Sequence, residues 1–531
     1  MSSPTEKNSS PSAIASPAIS TPTLISSETS SLHNSSAYDL VCVGFGPASL
    51  AIAVALHETK FEQPPRVLFI EKQKQYQWHS GMMIPGSRMQ ISFIKDFATL
   101  RNPRSFFTFL NYLNENGRLV NFTNLDTFLP LREEYNDYMQ WVASFFEDKV
   151  AYGEEVLSVE PLKENGETVE GFTITSKNAD GKTESRTAKN VVVATGGKPF
   201  FPPTLPESES RIIHSAQYMY RVGDVLPDRN APYKVAVVGA GQSAAEIYKD
   251  FHSRYPNCKS QLIFKAAALR PSDDSPFVNE IFDPSRVTPL YNLPAEIRQA
   301  AIKADKATNY GVVRLELIEK LYWEQYEQRL WIGQDETQWP HRILDHQEIL
   351  GSRSEKEGVV VRRRDTRTGE IVEETYDAIV VATGYRRDMY KEILKNSADI
   401  LPKDESGATV WNVGRNYGLH FNQGVLGKGV GVWLQGSCEF THGLSDSLLS
   451  ILAVRAGEIV QSVFGKAPIT PGLKTAENLA PPHRAVKAVE YKQQSRPVAA
   501  APAAAAPLKP TASRRKSHGG DKEKKDSCVI C

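Results

Sequence analysis

Short apolar runs, each closed by a glycine turn, punctuate the chain. Tyr38-Asp-Leu-Val-Cys-Val43 is apolar enough to be covered on both faces, as a strand inside a parallel sheet must be. It runs directly into Gly44-Phe-Gly46-Pro47-Ala-Ser-Leu50 and then the apolar stretch Ala51–Leu56. The pattern predicts strand, glycine turn, helix, with a second strand over Arg66–Ile70 that ends at Glu71. Tyr233–Val238 followed by Gly239-Ala240-Gly241-Gln242-Ser243-Ala-Ala245 repeats the arrangement, with a helix toward His252 and a next strand at Gln261–Phe264. Val191-Val-Val-Ala-Thr-Gly-Gly197 and Ile379-Val-Val-Ala-Thr-Gly-Tyr385 are nearly one sequence, and they bracket the second glycine turn. A chain that leaves one sheet and later returns to it requires such a pair. The expected fold is α/β: two nested Rossmann-like dinucleotide-binding domains.

The glycine turns carry chemistry as well as shape. Gly44 permits the tight turn, and Gly46 lets backbone approach a pyrophosphate that rests on a helix N-terminus. Ser49 occupies the third glycine position, which departs from the fingerprint, whereas Ala244 in the second turn is allowed. Glu71 lies at roughly the spacing of an acid that accepts from an adenosine ribose, about 20 residues on. Lys265 occupies what the spacing gives as the same place in the second unit. There a cation would attract the 2′-phosphate that an acid repels. The first unit therefore reads as the FAD site and the second as the NADPH site. Lys265 taken alone fits a solvated surface lysine equally well.

The chain has 531 residues, and its 62 Lys+Arg balance its 62 Asp+Glu. That excludes the basic field by which nucleic acid is held. No apolar run reaches the ~18 residues of a membrane-spanning helix. Cys42, Cys258 and Cys438 are too scattered for a disulfide framework or a structural metal site, so a reducing, cytoplasmic setting without metal is expected. Residues 1–36 are Ser/Thr/Pro-rich and 471–531 Pro/Ala-rich then basic, which reads as two disordered tails. The folded part divides into an FAD domain over 37–200 and 386–470, an NADPH domain over 201–273 and 321–385, and a substrate insert over 274–320. The terminal Cys528-Val-Ile-Cys531 follows a basic stretch and resembles a prenylation signal, with an inert or oxidisable thiol pair as the alternative.

No Cys-x4-Cys stands in the first helix, so disulfide reduction drops out and oxygen chemistry remains: NADPH reduces FAD, and the reduced flavin takes O2 as a C4a-hydroperoxide. Trp78-His-Ser-Gly-Met-Met83, Met89-Gln-Ile-Ser-Phe-Ile-Lys-Asp96, Ser272-Asp-Asp-Ser-Pro-Phe-Val-Asn-Glu280, Lys306-Ala-Thr-Asn-Tyr310 and Leu444-Ser-Asp-Ser-Leu-Leu449 resemble the fungal L-ornithine N5-monooxygenases of siderophore biosynthesis. The resemblance covers about 38–465. It implies that Glu71, Lys72, Gln73, Lys74, Gln75, Tyr76, Gln77, Trp78, His79 and Gln90 line the FAD, with Val156 at the adenine end. It places Ala240, Gly241, Gln242 and Ser243 on the NADPH pyrophosphate, and Lys265 on the 2′-phosphate where relatives carry Arg, at the cost of a bidentate fork. Lys95, Asn279 and Asn309 would contact L-ornithine, with Glu280, Ile281, Phe282 and Ser447 around it. Asn309, Tyr310 and Gly311 would run along the nicotinamide nucleotide, and Leu444, Ser445, Asp446 and Ser447 would close over flavin and substrate. Lys95 and Asn309 carry the catalytic expectation. A cation suits the substrate carboxylate, and an uncharged amide leaves the reacting amine neutral. The resemblance also implies a homotetramer serving iron acquisition. A lysine N6-hydroxylase, a general flavin monooxygenase and a non-enzymatic flavin-binding redox sensor remain as alternatives. One methylene is worth only ~1–3 kcal/mol in a pocket, which spacing does not resolve.

Overall fold

The computed structural model describes residues 37–466 apart from 164, 165 and 167, together with Pro468. Both expected tails, and with them Cys528, lie outside the described residues.

The first domain opens with β1 (Tyr38–Val43), α1 (Pro47–His57) and β2 (Val67–Glu71), the predicted strand, turn and helix. Helices α2 (Phe109–Glu115), α3 (Leu119–Thr123) and α4 (Arg132–Ser144) follow, then β3 (Val150–Tyr152), β4 (Glu154–Leu162), β5 (Gly171–Asn178) and the long β6 (Thr183–Val193). The sheet order is β3-β2-β1-β6-β5-β4. β1 pairs in parallel with β2 and β6, whereas β4, β5 and β6 form an antiparallel meander. The apolar run of β1 is buried because neighbours flank it on both edges and helices cover it.

The chain leaves through β7 (Lys198–Pro199) and enters β8 (Ile212–His214), α5 (Tyr218–Val225), β9 (Lys234–Val238), α6 (Gln242–Arg254) and β10 (Lys259–Ile263). The next segment starts at β11 (Arg270–Pro271) and holds α7 (Pro276–Asn279), α8 (Pro284–Tyr291) and α9 (Ala295–Asp305). It closes at β12 (Val312–Val313), which pairs with β11. The insert is thus a helical excursion whose two ends are tied together. Its expected boundary at 320 falls inside one continuous helix, α10 (Leu315–Trp331), whose inner face packs on α6. β13 (His341–Leu344) and β17 (Ala378–Val381) complete an all-parallel sheet of order β13-β10-β9-β17-β8. Between them β14 (Gln347–Glu355), β15 (Gly358–Asp365) and β16 (Ile371–Tyr376) make a separate antiparallel sheet.

The return confirms the nesting. β18 (Tyr385–Arg386) pairs antiparallel with β7, so the outgoing and incoming strands run side by side. After α11 (Met389–Ile393), β19 (Gly431–Leu434) adds in parallel to β6 of the first sheet. α12 (Glu439–His442) and α13 (Leu452–Phe464) finish the fold, and α13 packs on α1. Arg132 on α4 forms a two-pronged pair with Glu246 on α6, at 3.0 and 3.1 Å, and donates to Met82 O. That pair ties the first domain to the second with both charges largely covered.

Candidate active site between two glycine turns

Each glycine turn needs its first glycine. Gly44 has φ +92° and Gly239 φ +146°, and a Cβ on either would lie 2.7 Å from a carbonyl of the neighbouring strand, Ala194 O or Ala382 O. The second glycines face open space: a Cβ on Gly46 would meet nothing within 4 Å, and one on Gly241 would meet only Gly311. These are the cradles a dinucleotide requires, with α1 and α6 presenting their N-termini. Pro47 at the start of α1 lacks a donor where none is needed. Two buried polar groups border the first turn without a hydrogen-bond partner among the described residues, Ser49 Oγ and the Gln435 side-chain amide. Glu71 is buried and accepts from Phe45 N (2.7 Å) and Gln73 N (2.9 Å), so its carboxylate is held at the end of β2 beside the turn.

The strand register corrects the comparison made from spacing. Gly44 N donates to Ile70 O, and Gly239 N donates to Ile263 O. The counterpart of Glu71 is therefore Phe264, and Lys265 matches Lys72. Counting from the glycines misjudged this by one residue because the loops between helix and strand differ in length. The second unit still loses the acid and gains a cation beside it.

The residues expected to line the flavin take different surroundings. Trp78 and His79 rings lie 5.1 Å apart, and His79 lies 5.9 Å from Tyr385 on the returning strand. His79 is exposed by accessible area. The protein packed around its ring, ahead of the charges of Arg132 and Arg387, lowers its pKa to about 4, so it is neutral at physiological pH. Gln77 accepts from Ser80 Oγ and Tyr220 OH, Gln90 is exposed, and Val156 sits half-buried at a bulge in β4. Lys72, Lys74 and Gln75 are exposed and Gln73 half-buried beyond β2. Tyr76 points into the core instead, where its hydroxyl donates to Met139 Sδ (3.3 Å).

Lys95 is half-buried, and its ammonium has no hydrogen-bond or ion-pair partner among the described residues. Its carbonyl accepts from Tyr135 OH, and the Tyr135 ring lies 6.3 Å from Trp78, which brings the Lys95 main chain near Trp78. Asn279 ends α7 and donates its amide to Asp274 O (2.9 Å), leaving its carbonyl oxygen as an acceptor. Glu280, Ile281 and Phe282 form a turn packed against the Leu444–Ser447 turn. The loop Asn309-Tyr310-Gly311 joins these parts. Gly311 lies over Gly241, while Tyr310 OH donates to Glu439 Oε2 (2.5 Å). Ser447 Oγ donates to the same oxygen at 3.5 Å, and Lys306 Nζ lies 3.3 Å from the other. Ala240, Gln242 and Ser243 are half-buried at the second turn, and Gln242 Oε1 accepts from Arg314 N.

The side chains of Leu444, Ser445 and Asp446 are buried. Asp446 pairs with Arg455 at 2.8 Å and accepts from Cys438 N at 2.6 Å, so its charge shapes this segment from behind. Cys438 is a buried core residue whose thiol burial pushes up in pKa. Glu439 escaped the sequence reading. Its signal was present, because it is the one Asp, Glu, Lys or Arg between Val432 and Leu444. Among the described residues no cluster of three His, Cys, Asp or Glu stands ready for a metal, and no helix is long and apolar enough to cross a membrane.

Comparison with known proteins bears on the family and the fold. The model of the L-lysine 6-monooxygenase/L-ornithine 5-monooxygenase family matches residues 36–387. The L-ornithine N(5)-oxygenase of Arthrobotrys oligospora is 51% identical over 434 residues, covering 81% of this chain and 89% of that protein. The ornithine hydroxylase PvdA of Pseudomonas aeruginosa superposes with a TM-score of 0.74 at 38% identity, covering 81% of this chain and 99% of PvdA. The Kutzneria ornithine N-hydroxylase KtzI, solved with reduced FAD, NADP+ and L-ornithine, gives 0.73 at 33% identity, covering 81% of this chain and 99% of KtzI. This chain therefore belongs to the L-lysine 6-monooxygenase/L-ornithine 5-monooxygenase family.

Proposed function

We propose that this protein is an FAD- and NADPH-dependent monooxygenase that transfers one oxygen atom of O2 to the side-chain amine of L-ornithine, giving N5-hydroxyornithine for hydroxamate siderophore synthesis. The observation that carries this reading is the 309–311 loop. It lies on the second glycine turn through Gly311 and reaches Glu439 and Ser447 of the first domain's returning segment through Tyr310.

The Gly44–Pro47 turn and Glu71 would hold FAD, and the Gly239–Ser243 turn would hold NADPH. When bound, NADPH supplies a hydride and FAD supplies oxygen activation. The chain's own residues do the rest. Lys95, a cation with no hydrogen-bond or ion-pair partner among the described residues, takes the substrate carboxylate and decides which end of ornithine enters. Asn279 and Asn309 offer polar, uncharged surface to the far amine, which must be neutral to act as a nucleophile. The nearby Glu439 is bound to Lys306, Tyr310 and Ser447, and that compensation limits the pull of its charge on the amine. His79 stays neutral and serves as wall. The Tyr310–Glu439 contact closes the insert over the cleft and limits water entry.

The three described cysteines are buried and unpaired, which fits a reducing cytoplasmic setting. The exposed face of α10, with Tyr322, Trp323, Tyr326 and Trp331, supports a self-associating chain, a homotetramer by analogy. The decisive assay is NADPH oxidation with and without L-ornithine, with hydroxylamine product measured, set against lysine and putrescine. Ornithine-dependent hydroxylamine supports the reading. Lysine as the preferred substrate would replace it with the N6-hydroxylase, and NADPH oxidation without any hydroxylamine would discard it.

A further inference from the structure

Lys265 by itself is a weak phosphate ligand: a point charge, with its side chain 71% exposed. The surrounding structure supplies what it lacks. β14 is stitched to the loop after β10 by Gln347 N to Phe264 O (2.9 Å) and His346 N to Ala266 O (3.0 Å). That stitching delivers Glu348, and its cross-strand neighbour Arg364 on β15, to the flank of Lys265. Glu348 Oε1 lies 3.0 Å from Lys265 Nζ, and Arg364 donates to Glu348 Oε2. Two cations thus share one carboxylate, with the Arg364 side chain 47% exposed. Both hold the Glu348 carboxyl below the usual carboxylate range, Lys265 most strongly. The other acids at this edge are matched: Asp345 faces Arg367 and His346, and Asp365 faces Arg367.

We propose that Arg364 binds the 2′-phosphate of NADPH together with Lys265, and that Glu348 is the carboxylate which the phosphate displaces. This rests on reading the second glycine turn as the NADPH site. By strand register the 2′-position of an adenosine ribose held on this turn would fall beside Phe264 and Lys265, with no acid where the first unit has Glu71. A phosphate monoester carries close to two charges at neutral pH. It therefore satisfies two cations better than one carboxylate does. Arg364 also brings the planar donor fork that Lys265 lacks. Until the cofactor arrives, Glu348 keeps both cations in place and guards the site against anions of lower charge.

The test uses the FAD-loaded enzyme, titrated with 2′,5′-ADP and with 5′-AMP, and with NADP+ and NAD+, by calorimetry. Arg364→Ala should weaken 2′,5′-ADP by about tenfold or more, as for a lost charge-assisted contact, and leave 5′-AMP unchanged. Arg364→Lys should recover part of the loss. Glu348→Gln keeps the side-chain shape, removes the competitor, and should tighten 2′,5′-ADP by about threefold or more without affecting 5′-AMP. An unchanged ratio of 2′,5′-ADP to 5′-AMP affinity in Arg364→Ala, in a wild type that prefers NADP+, overturns the proposal, and the three charges are then a surface ion cluster only. A wild type without any preference for NADP+ over NAD+ overturns the underlying reading of the second turn instead.

Discussion

Lys95→Ala separates substrate orientation from everything else in the site. In the folded chain Lys95 is half-buried and its ammonium makes no ion pair or hydrogen bond among the described residues. Its removal therefore breaks no hydrogen bond or ion pair among the described residues and forgoes only the packing of its stem. The melting temperature should be close to that of wild type. The substrate carboxylate, by contrast, loses a charged partner. A hydrogen bond to a charged group contributes about 1.5–3 kcal/mol, which is roughly 10- to 150-fold at 1.36 kcal/mol per decade. The KM for ornithine should rise within that range. Flavin reduction by NADPH in the absence of ornithine should be nearly unchanged, because the second glycine turn is untouched. Lys95→Arg should retain much of the affinity. Three measurements check this: steady-state KM, stopped-flow flavin reduction without ornithine, and a thermal melt. A melting temperature lowered by several degrees together with collapsed flavin reduction would refute the reasoning and make Lys95 a structural or cofactor-holding residue.

Other substitutions probe neighbouring parts of the argument. Asn309→Asp places an anion by the reacting amine and should raise the amine pKa by about 1–3 units. Hydroxyornithine formed per NADPH consumed should then fall near neutral pH and recover as pH rises, and equal coupling at every pH would remove Asn309 from the amine. Arg455→Met should cost about 3–5 kcal/mol in urea unfolding, because it leaves the wholly covered Asp446 carboxylate without its ion-pair partner. Pairing it with Asp446→Leu should restore part of the loss, and a single-mutant cost below ~1 kcal/mol would show the pair to be unimportant. His214 is fully buried, accepts from Ala216 N and contacts Gly384 O, and burial lowers its pKa to about 4. The fold holds its neutral form, so His214 leaves stability unaffected above its unfolded pKa of ~6.5 and erodes it as pH falls toward 4, by about 2 kcal/mol at pH 5. His214→Asn should flatten the difference between urea melts at pH 7 and pH 5, and an identical pH dependence in both proteins would contradict this.

Much was legible before any coordinates because it is written in local pattern. A strand covered on both faces must be continuously apolar, and a turn that approaches a phosphate must be glycine. β1, β9 and their turns could therefore be read from short windows, and the paired Ala-Thr-Gly segments disclosed the nesting. What the chain alone could not decide is which distant residues share a neighbourhood, because that depends on where strands return. Hydrogen-bond register, and not residue counting, showed that Phe264 and not Lys265 stands opposite Glu71. Glu439 meets Tyr310 across 129 residues, and Arg132 meets Glu246 across 114. The Lys265–Glu348–Arg364 group forms only because β14 is stitched to the loop after β10. The sequence by itself determined the two dinucleotide cradles and their order, since each is built from consecutive residues. Only the tertiary structure decided which charges are paired, which stay free and which acids face away, because charge pairing is a property of side chains that chain topology brings together.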